Sequence, residues 1–247
     1  MEQLRVIRQF RSEYTGEDIH LENRWEGTGW NFKTEFIPNA ITNTHISNRA
    51  AIVGNGSSRK GMPIHVLPHH RGGILGADAM QVYGCNAVYR DIAPQFLVAT
   101  GEAMVDEIAN SDYCDEHIVY SNAENLLKYP GKFYLVPGNP HLDSGALAAY
   151  IACFDGHKQL YLLGFDGWPG ENHNNNIYAG TACYESTETP SQGLYFESTL
   201  RSVMLAYPEV EFVRVMPWEG YPQPDAWASL PNFRQISFKS FVGEVDL

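Results

Sequence analysis

The chain is poor in cysteine and in basic residues, and it has no long apolar run. Its four cysteines, Cys85, Cys114, Cys153 and Cys183, form no Cys-x-x-Cys pair. That argues against a disulfide framework or a zinc site and for buried free thiols. Lysine and arginine number 17 against 29 aspartates and glutamates, a formal net charge of -12. A general nucleic-acid binder normally carries a basic face, and an anionic membrane surface attracts one, so neither partner is expected. No stretch of roughly 18 apolar residues occurs and no basic-then-apolar leader opens the sequence, so no membrane span is expected. The expectation is a soluble protein of a reducing cytoplasm.

Two common phosphate-binding signatures are also missing. The glycine turn Gly54-Asn55-Gly56-Ser57-Ser58 is followed by Arg59 and its next glycine is Gly61, so it is not Gly-x-Gly-x-x-Gly. No Gly-Lys-Ser/Thr follows, so it is not a P-loop. What is present is a short apolar run, Ala50 to Val53, that ends in this turn. A buried strand entering a glycine-rich turn is how a nucleotide-binding α/β sheet usually begins. Gly54 and Gly56 permit φ > 0 and close approach to a ligand, and free N–H groups of the turn suit phosphate oxygens. A tight βα turn without a ligand is the competing reading of the same residues.

At 247 residues and 44% hydrophobic, the chain suffices for one domain with small appendages. Residues 1–48 are polar and aromatic, punctuated by Gly16, Gly27, Gly29 and Pro38, and read as an arm of short strands or extended segments. That arm either wraps the domain or makes a homo-oligomer contact. Residues 49–217 read as an α/β domain. Strands are expected near 50–53, 80–84, 96–100, 117–120, 132–136, 160–163 and 210–215. Helices are expected near 102–109, 122–128, 145–154 and 193–207. The helix after Asp143 and Ser144 is apolar almost all round, hence buried, and Gly156 ends it. Phe196, Leu200, Val203 and Tyr207 share a face of the last helix. Residues 218–247, aromatic and proline-rich, read as a C-terminal wrap. The alternation predicts a doubly wound, mostly parallel, Rossmann-like sheet with irregular arms at both ends. Ligands bind such sheets at the carboxyl ends of the strands. Gly54 to Ser58, Cys85 and Asn86, Thr100 and Gly101, Asp143 to Gly145, and Asp166 fall on that edge. The loop holding His65, His69, His70 and Arg71 lacks metal-site spacing and reads as a solvated or substrate-edge loop. The long polar loop from Gly167 to about Ser191 reads as functional.

Four stretches in order carry a resemblance: Val53-Gly-Asn-Gly-Ser-Ser58, Gly84-Cys-Asn-Ala-Val-Tyr-Arg-Asp91, Asp143-Ser-Gly-Ala-Leu-Ala148 and Gln159-Leu-Tyr-Leu-Leu-Gly-Phe-Asp166. Together they resemble the bacterial sialyltransferases of glycosyltransferase family 42 and related motility-associated and pterin pyrophosphokinase-like proteins. The resemblance spans about residues 50–216. It implies a GT-A-like nucleotide-binding domain that holds a CMP-type sugar as substrate, without metal or other cofactor, and passes the sugar with inversion to a glycan or other hydroxyl acceptor. It further implies that Asn55, Gly56 and Ser58 line the phosphate and ribose turn and that Asn86 holds the nucleotide or sugar. Ser144 and Gly145 would cradle cytidine or phosphate at a helix N-terminus, and Tyr178 would donate to the departing phosphate.

The chain also departs from that pattern. The family's general-base histidine would fall near Ser191 to Gly193, where there is none. His141 stands in place of an arginine, and Asp143 in place of a threonine. A sialic acid carboxylate would therefore face Asp143 with no arginine near. In the base role, His173 is the first candidate, Glu188 the second and His141 the third. Two other classes stay open: nucleotide or pterin diphosphate chemistry with Mg²⁺ on Asp143 and Asp166, and a non-enzymatic structural or assembly protein that retains the fold.

Overall fold

The computed structural model describes residues 4–11, 17–25, 28–38, 47–70, 79–129, 131–136, 138, 140–167, 175–186 and 190–247, with backbone alone at 4–11, 17–25, 30–38, 135 and 190–193. Arg71, His173 and Glu188 lie outside the described residues.

The N-terminal arm is a sheet of its own rather than irregular chain. Leu4–Arg11 (β1), Glu17–Trp25 (β2) and Trp30–Pro38 (β3) form an antiparallel meander. Leu4 pairs with Trp25, and Trp25 with Trp30.

The main sheet is built as the alternation predicts. Its strands are Arg49–Val53 (β4), Met80–Cys85 (β5), Phe96–Val98 (β6), Ile118–Ser121 (β7), Tyr134–Leu135 (β8), Gln159–Leu163 (β9), Glu211–Met216 (β10) and Phe233–Ser237 (β11). Glu102–Ala109 (α1) and Tyr113–Glu116 (α2) join β6 to β7, and Ala123–Lys128 (α3) joins β7 to β8. Ser144–Phe154 (α4) leads to β9, Pro190–Ala206 (α5) to β10, and Asp225–Ala228 (α6) to β11. Phe238–Val245 (α7) follows. The strand order is β11-β10-β9-β4-β5-β6-β7-β8, and every neighbouring pair is parallel. From β8 at one edge the chain returns through α4 to β9, beside β4. The order therefore reverses between β4 and β9.

Period-two alternation sends successive residues of the central strands to opposite faces, and both faces are covered. Ala50, Ile52, Tyr83, Leu160, Leu162 and Phe212 pack under α4 and α5. Ala51, Val53, Val82, Tyr161, Leu163 and Val213 pack against Met62, Ile64, Leu67 and, on α7, Phe241 and Val245. Burying each such large side chain contributes about 1.5–3 kcal/mol. The alanines and Gly145 of α4 let that helix lie against β4, β5 and β6. Asp143 caps it, accepting from Gly145 N and Ala146 N, and Gly156 at φ 96° follows its end.

The segment expected to be a C-terminal wrap instead supplies an eighth strand and two helices, α6 and α7. β11 pairs with β10 from Phe212 opposite Phe233 to Met216 opposite Ser237, and Ser237 caps α7. Five residues of strand are easily hidden in a tail read only by its aromatic and proline content.

Candidate functional site

A cleft of about 620 Å³ opens at the carboxyl ends of β4, β5, β6 and β9. It thus straddles the point where strand order reverses, which is where open α/β sheets bind ligands. Each of the four stretches quoted above contributes to it: Gly54 to Gly56, Cys85 and Asn86, Asp143 to Ala146, and Gly164 to Asp166. Thr100 and Gly101 line it as well. Ser57, Ser58, Tyr178 and His141 do not; His141 is exposed beside it, and the lining begins at Leu142.

On the β4–β9 side the glycine turn is occupied by the protein itself. Gly54 N donates to Leu163 O at 2.8 Å and Gly56 N to Gly164 O at 2.9 Å. Ser57 N donates to Asn175 O, and Ile177 N returns a bond to Asn55 O at 2.9 Å. Ser58 N and Ser57 Oγ donate to Asp166 Oδ2 at 2.9 and 3.1 Å, and Ser58 Oγ donates to Asp166 Oδ1. Asp166 therefore fills the place expected for a phosphate, and the serines face it rather than the cleft. Nor do the two glycines serve a positive φ: Gly56 sits at φ -62°, and Gly54 is not among the positive-φ glycines. They are needed because β9's turn crosses here. A Cβ on Gly54 would lie 2.7 Å from Gly164 O, and one on Gly56 2.5 Å from Asp166 Oδ1. Gly164, at φ 76°, would in turn meet Gly54 O at 2.7 Å.

The start of α4 is also internally bonded. Gly145 N donates to Asp143 Oδ1 at 2.9 Å and Ala146 N at 3.2 Å, while Thr199 Oγ1 of α5 donates to Asp143 Oδ2. Burial pushes the Asp143 carboxyl above its ordinary value, against the pull of these donors. Ser144 Oγ accepts from Thr100 N at 3.1 Å and shares a proton with Thr100 Oγ1 at 2.9 Å, fixing the end of β6. The carboxylates expected for Mg²⁺, Asp143 and Asp166, line one cleft but are each held by several donors. Among the described residues no group of three or more His, Cys, Asp or Glu is arranged to hold a metal ion. Of the histidine loop, His65 and His69 are exposed and His70 is buried with Nε2 2.9 Å from Val245 O.

The β5–β6 side differs. Asn86 lines the cleft at φ 51°, a left-handed conformation that Asn tolerates better than most side chains. Its side chain makes no hydrogen bond among the described residues. Asn55 donates from Nδ2 to Tyr184 Oη at 2.9 Å, while its buried Oδ1 has no hydrogen-bond partner among the described residues. Burial holds the Tyr184 phenol well above the ordinary range, so it stays protonated. Cys85 beside it is pushed up to about 12, first by burial and then by the charge of Asp143, so this thiol is inert. Tyr178 is directed elsewhere: Arg59 donates to its Oη at 2.7 Å and Tyr178 Oη donates to Asp91 at 2.6 Å. Tyr178 stacks behind Tyr184 at 6.0 Å between ring centroids. Of these two phenols it is Tyr184, six positions further along the same loop, that reaches the cleft.

The far wall comes from elements that sequence reasoning left out of the site. Trp227 of α6 lines the cleft and donates from Nε1 to Glu197 O at 2.9 Å. Beneath Phe165 and Asp166 lies Arg214 of β10, fully buried. It donates to Phe165 O at 2.6 Å, Pro222 O at 2.9 Å, Gln235 Oε1 at 2.7 Å and Asp166 O. Burial pulls its pKa down to about 10, with the Asp166 charge acting the other way. A lone arginine inside the otherwise apolar stretch Phe212–Met216 was the available signal, since such a residue is almost never fully buried without acceptors. On α5, Leu200 and Val203 are buried as their helical spacing predicts, but Phe196 is 42% exposed and lines the cleft. Among the described side chains of α5, Leu194 to Ser198 are exposed or half-buried and full burial begins at Thr199.

Compared with protein-family models, curated proteins and solved structures, the chain finds no match.

Proposed function

We propose that the cleft binds a nucleotide-activated sugar of the CMP type and passes the sugar to a hydroxyl acceptor, with inversion and without a metal. One observation carries this reading: the four stretches of the resemblance, scattered over more than a hundred residues, meet in one cleft at the reversal point of the sheet. The walls suit such a ligand, because aromatic rings and neutral amides and hydroxyls serve base, ribose and sugar.

Charge builds on the leaving phosphate during transfer, and donors aimed at it lower the barrier. In this reading Tyr184 supplies one donor. Asn55 donates to its oxygen, which polarises the phenol and leaves the Tyr184 proton for the ligand. The Asn86 amide supplies a second. The N–H groups of Gly54, Gly56, Ser57 and Ser58 supply none, because they are engaged within the protein; they set the cleft's shape. The acceptor proton goes to a carboxylate at the opening, and Glu197 is the described candidate. His173 and Glu188 keep their proposed place in the same role.

The non-enzymatic reading is favoured by one observation, the internal occupation of that turn by Asp166. A thermal-shift panel of CMP, CDP, UMP, UDP, GDP and ATP, run in EDTA and in Mg²⁺, separates the readings. Ligand at a hundredfold excess over Kd stabilises by about 2.7 kcal/mol, roughly 5–10 °C for a chain of this size. The expected result is such a rise with CMP in EDTA, lost in Asn86→Ala. A rise only in Mg²⁺ points to diphosphate chemistry. No rise with any nucleotide leaves the structural protein.

A further inference from the structure

The register of the N-terminal meander gives it two unlike faces. Residues directly opposite each other in an antiparallel pair share a face, and the face alternates along each strand. Leu4, Val6 and Phe10 of β1 fall opposite Trp25, Asn23 and Ile19 of β2, and Arg8 falls opposite Leu21. Those β2 positions fall in turn opposite Trp30, Phe32, Thr34 and Phe36 of β3. One face is therefore mostly apolar. The other takes most of the charge, including Arg5, Arg11, Glu22, Arg24, Lys33 and Glu35. The two charges on the apolar face lie at its margin, Arg8 on the edge strand β1 and Glu17 at the start of β2. Its other polar positions, Asn23 and Thr34, are uncharged. An apolar centre inside a polar rim is the anatomy of a protein interface.

We propose that this face is covered by the same face of a second copy of the chain, two meanders stacking about a two-fold axis into a six-stranded sandwich. A three-stranded sheet with one apolar face needs a second layer to be stable. The main domain meets the meander through its edge strand, β1, at β8 and α3. At that edge Ile118 of β7 and Tyr134 of β8 stay 39% and 37% exposed, so the meander does not close over it. Area fits a second copy. Phe and Trp bury about 150–250 Å² each, so the five aromatic positions of the face match the about 800 Å² that each partner of a stable interface buries. Charge fits as well. Two chains at -12 repel each other, and they can meet only where each is near neutral; this face holds one arginine and one glutamate. A membrane contact would favour a basic rim, whereas this rim has one charge of each sign. The proposal is independent of what the cleft binds.

Analytical sedimentation of the full chain from about 1 to 100 μM tests this. The wild type is expected to sediment as a dimer. Phe32→Ser, on β3 at the edge away from β1, is expected to weaken the dimer about tenfold or more. Lys33→Ser, the next position and on the opposite face, is expected to leave it within about threefold. Phe32→Ser could also act by unfolding the meander, so Thr34→Val supplies the second arm. It keeps the shape of the residue, makes one more position of the face apolar, and is expected to tighten the dimer about threefold. A wild type that stays monomeric throughout overturns the proposal. Equal weakening by Phe32→Ser and Lys33→Ser, or wild-type affinity in Thr34→Val, overturns the choice of face. A monomer that floats with phosphatidylcholine vesicles makes the face a membrane contact and also overturns it.

Discussion

The two sides of the cleft use similar residues in opposite ways. On the β4–β9 side, the N–H groups of Gly54, Gly56, Ser57 and Ser58 and both serine hydroxyls have protein partners, Asp166 foremost. On the β5–β6 side, an asparagine in a left-handed conformation lines the opening together with a phenol whose oxygen already accepts from Asn55. A glycine-rich turn at a strand end is therefore not in itself a ligand cradle. One side sets the shape and the other leaves groups for chemistry.

The sharpest way to break the first side is Gly56→Ala. The added Cβ would meet Gly164 O and Asp166 Oδ1 within the backbone crossing, where nothing flexible can yield. A loss of about 3 kcal/mol or more is expected in urea unfolding. A loss under about 1 kcal/mol would mean that the crossing is loose. The second side is probed by Tyr184→Phe, which keeps the ring and removes the proton. Stability is expected to change by less than about 1 kcal/mol, while CMP affinity in EDTA falls about tenfold, some 1.4 kcal/mol. A large stability loss with no change in affinity would move Tyr184 to the structural side. Asn86→Gly should separate stability from binding further. Glycine adopts φ 51° without a Cβ penalty, so the variant is expected to gain about 0.5–1 kcal/mol in unfolding while weakening nucleotide binding.

The smallest effect expected is at Asp143. Its carboxyl is raised above the ordinary 3.8 by burial, so the folded state binds a proton more tightly than the unfolded chain. Stability from this group is full below 3.8 and is lost as pH rises through the folded value. Asn can cap the helix equally well without the charge. Asp143→Asn is thus expected to match the wild type in acid and to exceed it by a few tenths of a kcal/mol at neutral pH, by thermal unfolding across pH 3–8. A variant less stable at every pH would mean that the Thr199 bond outweighs the burial.

Much of the fold was legible because it rests on periodicity. Glu102–Ala109 and the cap at Asp143 fall where apolar spacing and capping residues put them, and β4, β5 and β9 within a residue of their expected bounds. The tail was misjudged because β11 is short and its partner, β10, is adjacent only in space. For the site, the lining strand ends could be read from topology alone. Which of two tyrosines faces the cleft could not, because Tyr178 is captured by Arg59 and Asp91, residues 119 and 87 positions away. Nor could the sequence reveal that Asp166 occupies the turn at Ser57 and Ser58, since that contact spans 108 residues.

Arg214 has a mechanical consequence. One planar guanidinium holds the end of β9, the loop at Pro222 and strand β11 through Gln235, and its ring contacts with Tyr221 and Trp227, each at 5.7 Å, leave it no room to rotate. These segments form a single block, bolted from inside, and none can shift without stranding a buried charge. Any opening of the cleft that leaves this block whole has to come from elements outside it.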